Sequence, residues 1–435
     1  MKAVVFYGTR DLRLENVPEP QIQEPTDAIV RLTTSAICGS DIHLTRGTLG
    51  ELHPGTIPGH EGVGVIEALG ADVRNFSVGD RVIISPTIAC GNCVYCRSGY
   101  YSQCDTANPR GPSAAPAFLG SPLANGGFNG LLAQKARVPF AHTGLIKLPS
   151  EITDEQAVLL CDVAPTGYFA AELAEISHGD TVAVFGCGAT GLFAIASAKI
   201  LGAGRVFAID NNPERLKMAQ QQGAEAIHFE SQSPSETINK LTDGIGVDRA
   251  IDTLGVSAES NRKCEDFSLN YDDTHQPFST SAPDLTPNPQ ASLHDQALCW
   301  AVGCLAKAGT LAIIGSYSPD NNTFPIATAL QKSLSINMGN CPHQKYIPKL
   351  IALTLSRRID PAAILGQIKP VTDSTDGLNA LDHQQCGWIK IELLHQSNPS
   401  EAMENNCPTE EEDLDEAIAE SFPASDPLSM TTPKH

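Results

Sequence analysis

The stretch Gly186-Cys187-Gly188-Ala189-Thr190-Gly191 constrains the fold of this chain more than any other. A G-x-G-x-x-G pattern alone says little. Here it directly follows the apolar run Thr181-Val182-Ala183-Val184-Phe185 and opens a segment of helical periodicity over 191–201. Asp210 then closes the next β-branched run, 205–209. Strand, glycine turn, helix, strand and acid in this order form the dinucleotide-binding fingerprint. Gly186 is expected to make the tight turn, Gly188 to let backbone approach a pyrophosphate, and Gly191 to permit close helix–strand packing. The helix N-terminus would face the phosphate charge. Asp210 would accept hydrogen bonds from the adenosine ribose hydroxyls and repel a 2′-phosphate, which favours NAD over NADP.

Further strands are expected over 226–229, 248–252 and 310–314, with a helix over 213–222 between the second and third strands. Strands separated by helix-length segments predict a parallel doubly wound sheet for residues 153–315. Residues 1–152 differ in texture. Short runs such as Ala28-Ile29-Val30-Arg31-Leu32 and Arg81-Val82-Ile83-Ile84 are broken by Gly and Pro, which predicts a β-rich domain. From 316 to 395 the chain is expected to return to that first domain, ending on Ile389-Lys390-Ile391-Glu392-Leu393-Leu394. Residues 257–292 are polar and proline-rich and read as an insertion in the nucleotide-binding domain. Residues 396–435 carry ten acids against one Lys, a composition that predicts a disordered tail. Leu414, Ile418 and Phe422 could still form one amphipathic turn there.

Charge and hydropathy exclude whole classes of partner. Fifty acids against 29 Lys and Arg give a net charge of −21, which repels phosphate backbones and anionic lipid. No apolar run approaches the roughly 20 residues a membrane helix needs. The N-terminus turns polar within a few residues, so no signal peptide is expected and the setting reads as cytoplasmic.

Four of the 13 cysteines are clustered: Cys90, Cys93, Cys96 and Cys104, in the spacing C-x2-C-x2-C-x7-C. Four thiolates so spaced can wrap one Zn²⁺ tetrahedrally with no open position, a structural site. Two disulfides are the other use of such a set, and a cytoplasmic chain disfavours them. A second grouping is dispersed: Cys38-Gly39-Ser40-Asp41-Ile42-His43, then Gly59-His60-Glu61-Gly62. A Cys, a His and one more donor would hold zinc with an open position. Spacing alone equally admits a buried Cys and a structural His.

Taken together, these stretches resemble the medium-chain dehydrogenase/reductase family, specifically its zinc-dependent alcohol dehydrogenases. Leu160-Cys161-Asp162-Val163-Ala164-Pro165-Thr166-Gly167-Tyr168 is similar to the branch of glutathione-independent formaldehyde dehydrogenases. The resemblance spans about residues 1–395, the insertion matching least. It implies an α/β protein, with a GroES-like β-rich catalytic domain and a Rossmann domain. It implies two zinc ions per chain and NAD. Cys38 and His60 would ligate the catalytic zinc, with Asp162 as third ligand and Cys161 as its rival. Asp41 would orient His60, and Glu61 would lie near the metal. Ser40 and His43 would carry the substrate proton outward, Thr166 would lie beside the nicotinamide, and Arg215 near the adenosine ribose. The implied reaction moves a hydride between an alcohol or aldehyde and NAD.

Two alternatives stand beside it. One is an aldehyde dismutase that retains its NAD, with 257–292 covering the cofactor; the other is a non-catalytic scaffold on the same fold. The implied partners are a small alcohol or aldehyde and further copies of the chain, in a dimer or tetramer. Neither the 44–57 region nor Asn340 to His343, both expected near the substrate pocket, can be placed from sequence.

Overall fold

The short β-branched runs at the start of the chain pair into antiparallel sheet in a computed structural model, which describes residues 1–108, 111, 116–254, 294–317, 324–382 and 389–395. Strands β1 (Lys2–Gly8) and β2 (Asp11–Asn16) form a hairpin. Strand β3 (Ala28–Ile37) pairs with β4 (Glu61–Leu69), β4 with β5 (Arg81–Ile84), β3 with β6 (Lys135–Val138), and β5 with β7 (Leu145–Lys147), all antiparallel.

The alternation of strand and helix then builds a second sheet from β8 (Thr181–Phe185), β9 (Arg205–Asp210), β10 (Glu225–His228), β11 (Val247–Asp252), β12 (Leu305–Ile313) and β13 (Ser335–Met338). All six are parallel, in the order β10-β9-β8-β11-β12-β13. Residues 182–185 of β8 and 206–209 of β9 are apolar without a break because both faces are covered. Val182, Val184, Val206 and Ala208 pack into one core. Ala183, Phe185, Phe207 and Ile209 pack into another on the opposite face. The chain then returns to the first sheet through β14 (Gln367–Pro370) and β15 (Ile391–Leu394), the latter antiparallel to β3.

That return comes later than residue 316. Strand β13 keeps the chain in the parallel sheet as far as Met338. Among the described residues its four, Ser-Ile-Asn-Met, pair on one side only, so an edge position lets polar residues alternate with apolar ones and hides them from a search for apolar runs. Strand β12 also starts earlier than 310. Ala308 adopts a left-handed φ of 60° inside it, and the residues around it read as a turn. The insertion at 257–292 and the tail at 396–435 lie outside the described residues. Among those described, no helix is long and apolar enough to cross a membrane.

Candidate active site and zinc lobe

The pairing of β3 with β4 sets Ala36 opposite Glu61, so Cys38 and His60, just beyond the paired ends, come together. Cys38 precedes the helix Gly39–Arg46, and its backbone N–H donates to Asp41 Oδ2 at 2.9 Å. Asp41 Oδ1 lies 2.9 Å from His60 Nδ1. A carboxylate only accepts, so Nδ1 carries a proton, and Nε2 on the far side of the ring is the nitrogen left for a metal. It faces Asp162, whose Oδ2 is 3.3 Å from Nε2 and 3.8 Å from Cys38 Sγ. Asp162 stands immediately before the helix Val163–Leu173. That helix packs closely on Ala189–Ile200, since a Cβ at Gly167 would fall 2.6 Å from Phe193 Cβ. The β-rich sheet and the nucleotide-binding sheet therefore meet at this carboxylate.

Electrostatics here call for a cation. Burial works against a charged His60, but Asp41 and Asp162 outweigh it and hold the imidazole well above its usual range. Burial opposes ionisation of Asp162 as well; His343 and His60 outweigh it and hold the carboxyl well below its usual range. Glu61 is fully buried beside Lys390, itself buried just before β15. Burial raises the Glu61 carboxyl, and Lys390 offsets this only in part. Its Oε1 is buried without a hydrogen-bond partner. One donor atom each from Cys38, His60, Glu61 and Asp162 falls within 4.8 Å of the others.

Other expected residues are placed as follows. Ser40 Oγ lies 3.4 Å from His60 Nε2, at the edge of the donor group. His43 lies one helical turn on, half-buried, with Nδ1 3.0 Å from Thr48 Oγ1. Thr166 Oγ1 donates to Asp162 Oδ1 at 3.1 Å. Cys161 points away: its thiol, fully buried, lies 3.3 Å from the Gly62 carbonyl oxygen and 3.5 Å from that of Ala157. Burial pushes that thiol far up. Of the two rivals, Asp162 is the one in the donor group.

His343 was placed by sequence only within a pocket-lining stretch, yet its Nε2 lies 2.7 Å from Asp162 Oδ1 and its Nδ1 2.8 Å from Thr87 Oγ1. No spacing rule links residues so far apart in the chain. The buried Lys390 partner of Glu61 escaped for the same reason.

The glycine turn has the geometry its sequence suggests. Gly186 has φ +93°, and a Cβ at Gly191 would fall 1.8 Å from the Gly186 carbonyl oxygen. Gly188, just before the helix Ala189–Ile200, faces open space. Asp210 is buried and ties this turn to the next one. It accepts from the backbone N–H groups of Cys187 (2.7 Å), Asn211 (2.8 Å) and Asn212 (2.9 Å). Arg215 Nη1 stands 3.9 Å from its carboxylate.

The sulfur atoms of Cys90, Cys93, Cys96 and Cys104 also fall within 4.8 Å of one another, and no disulfide joins them. Backbone N–H groups point at them: Cys90 to the Cys104 sulfur at 3.2 Å, Cys93 to the Cys90 sulfur at 3.3 Å, and Ala107 to the Cys104 sulfur at 3.3 Å. Burial opposes ionisation of Cys90. Hydrogen bonds from Thr106 and from the backbone of Asn92 and Cys93 outweigh it and hold the thiol below its ordinary range.

Residues 24–150 match the alcohol dehydrogenase GroES-like domain, and residues 189–265 match the zinc-binding dehydrogenase domain. The zinc-type alcohol dehydrogenase-like protein AdhB of Bacillus subtilis is 33% identical over 397 residues, covering 90% of this chain and 100% of that protein. The chain belongs to the zinc-dependent alcohol dehydrogenases of the medium-chain dehydrogenase/reductase family. Among solved structures, the alcohol dehydrogenase TADH from Thermus sp. ATN1 is similar at 30% identity and a TM-score of 0.76, covering 91% of this chain and 99% of that one. A glutathione-independent formaldehyde dehydrogenase of Pseudomonas aeruginosa is 29% identical over 405 residues, covering 88% of this chain and 94% of that protein.

For this zinc-dependent dehydrogenase the metal fits both donor sets. Four converging sulfurs with donated N–H bonds suit a closed structural zinc. Thiol, imidazole and carboxylate, with acceptor atoms facing each other across the cluster and an orphaned Glu61 oxygen beside it, suit a zinc that keeps a position for substrate.

Proposed function

We propose that this alcohol dehydrogenase family member moves a hydride between NAD and a small alcohol, aldehyde or aldehyde hydrate, in the manner of the formaldehyde dehydrogenase branch. The observation that carries the reading is Asp162 in the donor group with Cys38 and His60, where Cys161 could have stood. In this reading Cys38, His60 and Asp162 hold the catalytic zinc, and Cys90, Cys93, Cys96 and Cys104 the structural one. When bound, zinc supplies the Lewis acidity that favours ionisation of a substrate hydroxyl, and the nicotinamide supplies the hydride acceptor.

The chain's own residues position and drain this site. Asp41 holds a proton on His60 Nδ1, so Nε2 is the nitrogen that a metal would take. Ser40 Oγ stands at the mouth and takes the substrate proton. His43, one turn outward on the same helix and half-exposed, delivers it to solvent. Gly186, Gly188 and Gly191 let the pyrophosphate approach the helix N-terminus, and Asp210 selects NAD by its charge, with Arg215 at the ribose edge. Thr166 borders the nicotinamide side of Asp162. The edge of β13, unpaired among the described residues, and the exposed Ile326, Leu330 and Met338 favour an oligomer, which light scattering tests directly. Free cysteines in both clusters, with no disulfide between them, suit a cytoplasmic setting.

Ser40→Ala tests the relay. Turnover should fall about a hundred- to ten-thousandfold, the usual worth of positioned proton transfer, with zinc unchanged at two per chain. Normal turnover in that variant removes Ser40 from the path. A panel of alcohols and aldehydes, with and without added NAD, reads the substrate class; NADP used as well as NAD would remove the role given to Asp210.

A further inference from the structure

The site contains a side chain that the family motifs do not account for. His343 opens the helix Cys341 precedes, His343–Leu355, and reaches across to Asp162. We propose that His343 is a positioning residue for the catalytic zinc: it holds the Asp162 carboxylate so that Oδ2, rather than Oδ1, faces Cys38 and His60. This rests on Cys38, His60 and Asp162 being the zinc ligands.

Hydrogen-bond chemistry fixes the direction. Asp162 Oδ1 can only accept, so His343 Nε2, 2.7 Å away, carries the proton and donates it. On the other side of the ring, Nδ1 shares a hydrogen bond with Thr87 Oγ1 at 2.8 Å, which fixes the ring's orientation. Thr166 Oγ1 adds a second donor to Oδ1 at 3.1 Å. With Oδ1 holding two donors, Oδ2 is the oxygen left for a metal. It is also the one 3.3 Å from His60 Nε2 and 3.8 Å from Cys38 Sγ. Thus Asp41 orients the imidazole ligand and His343 orients the carboxylate ligand, each from outside the donor group. A metal ligand held this way binds more tightly because its orientation is settled before the metal arrives.

The rest of the helix is anchored so that His343 can do this. Gln344 Nε2 donates to the Thr87 carbonyl oxygen at 2.7 Å, and Ser102 Oγ donates to the Asn340 carbonyl oxygen at 2.9 Å. Further along, Tyr346 and Lys349 both reach the Glu172 carboxylate, at 2.8 and 2.5 Å. Glu172 lies on Val163–Leu173, the helix that Asp162 precedes. Asp162 and His343 are therefore carried by two helices clamped together, and Thr87 supports the imidazole from the β-rich domain.

The test uses the full-length enzyme with zinc or cobalt as the probe. His343→Ala should release the catalytic-site zinc to a chelator about ten- to a hundredfold faster than wild type, while the four-cysteine zinc stays bound. The visible spectrum of Co²⁺ placed at the catalytic site should change as well. His343→Gln, whose amide can donate to Oδ1, should restore much of both. Thr87→Val, which leaves the Asp162 contact in place, should shift both readouts in the same direction by less. Wild-type zinc release and an unchanged cobalt spectrum in both His343→Ala and Thr87→Val would overturn the proposal. If His343→Ala does not fold, an unaltered Thr87→Val together with an unrescued His343→Gln overturns it. A wild-type enzyme that holds one zinc per chain, with Cys38→Ala releasing none, would instead overturn the ligand assignment beneath it.

Discussion

At the scale of single residues, the adjacent side chains of Cys161 and Asp162 point different ways. Cys161 turns its thiol to the carbonyl oxygens of Gly62 and Ala157, within the fully buried core. Asp162, one residue later, turns its carboxylate to Cys38 and His60. Asp162→Asn should therefore empty the catalytic metal position, leaving about one zinc per chain by metal analysis, because a neutral amide is a poor zinc ligand. Cys161→Ala should leave the zinc count at two, with a stability loss of about 1 kcal/mol from a lost sulfhydryl contact and a little packing. Reversal of the two zinc counts would make Cys161 the ligand. Sequence could bring Cys38, His60 and Asp162 forward as candidates because each sits in a stretch that resembles the family's motifs. It could not supply His343 or Lys390, whose partners Asp162 and Glu61 stand across the fold. Their contacts exist only once the strands and helices have been assembled.

At the scale of elements, the legible parts were those whose pattern is local and two-sided. The runs at 181–185 and 81–84 coincide with β8 and β5, because after their first residue both are buried and apolar without interruption. The helix expected over 213–222 is observed at Pro213–Gln221, marked by Asn212, whose Oδ1 accepts from the N–H groups of Glu214 and Arg215, and by Pro at its first position. Strand β13 was not legible, since an edge strand needs apolar residues less than it needs a neighbour. The glycine turn is the element where a single methyl group would tell most. A Cβ at Gly191 would fall 1.8 Å from the Gly186 carbonyl oxygen and 3.2 Å from Thr253 Oγ1, both held by the turn itself. Gly191→Ala must push the helix Ala189–Ile200 off the sheet. Its N-terminus then no longer meets the pyrophosphate, so the Kd for NAD, read by fluorescence titration, should rise at least about tenfold, the effect of roughly 1.4 kcal/mol. Unchanged NAD affinity would mean that the cofactor does not bind at this turn.

At the scale of the whole molecule, the net charge of −21 is a poor guide to pH behaviour. About −9 of it belongs to the residues after 396, outside the described residues. The informative acid is one that the chain's return buries. Strand β15 closes against β3, and this sets Glu392 inside the protein with Oε1 accepting from Thr34 Oγ1 at 2.7 Å and Oε2 without a partner. Burial, with Glu155 and Asp154 nearby, outweighs the Thr34 hydrogen bond and lifts the carboxyl to about 7. Three residues on, burial takes His395 down to about 4. The two act in opposite directions. Between the unfolded carboxyl value of about 4.3 and about 7, native Glu392 holds a proton that the unfolded chain has lost, so its contribution to stability falls as pH rises. Between about 4 and about 6.5, the unfolded chain holds a proton on His395 that the native state rejects, so that contribution falls as pH drops. Below about 6.5 the contributions of these two groups should therefore largely offset each other. Glu392→Gln removes only the first. In urea unfolding the variant should gain on wild type from pH 5 to pH 8, by an amount on the order of a few kcal/mol, and its own stability should fall more steeply than wild type on acidification. Parallel profiles for the two proteins would show that Glu392 is ionised at its ordinary value and that the interior beside β15 is wetter than this packing allows.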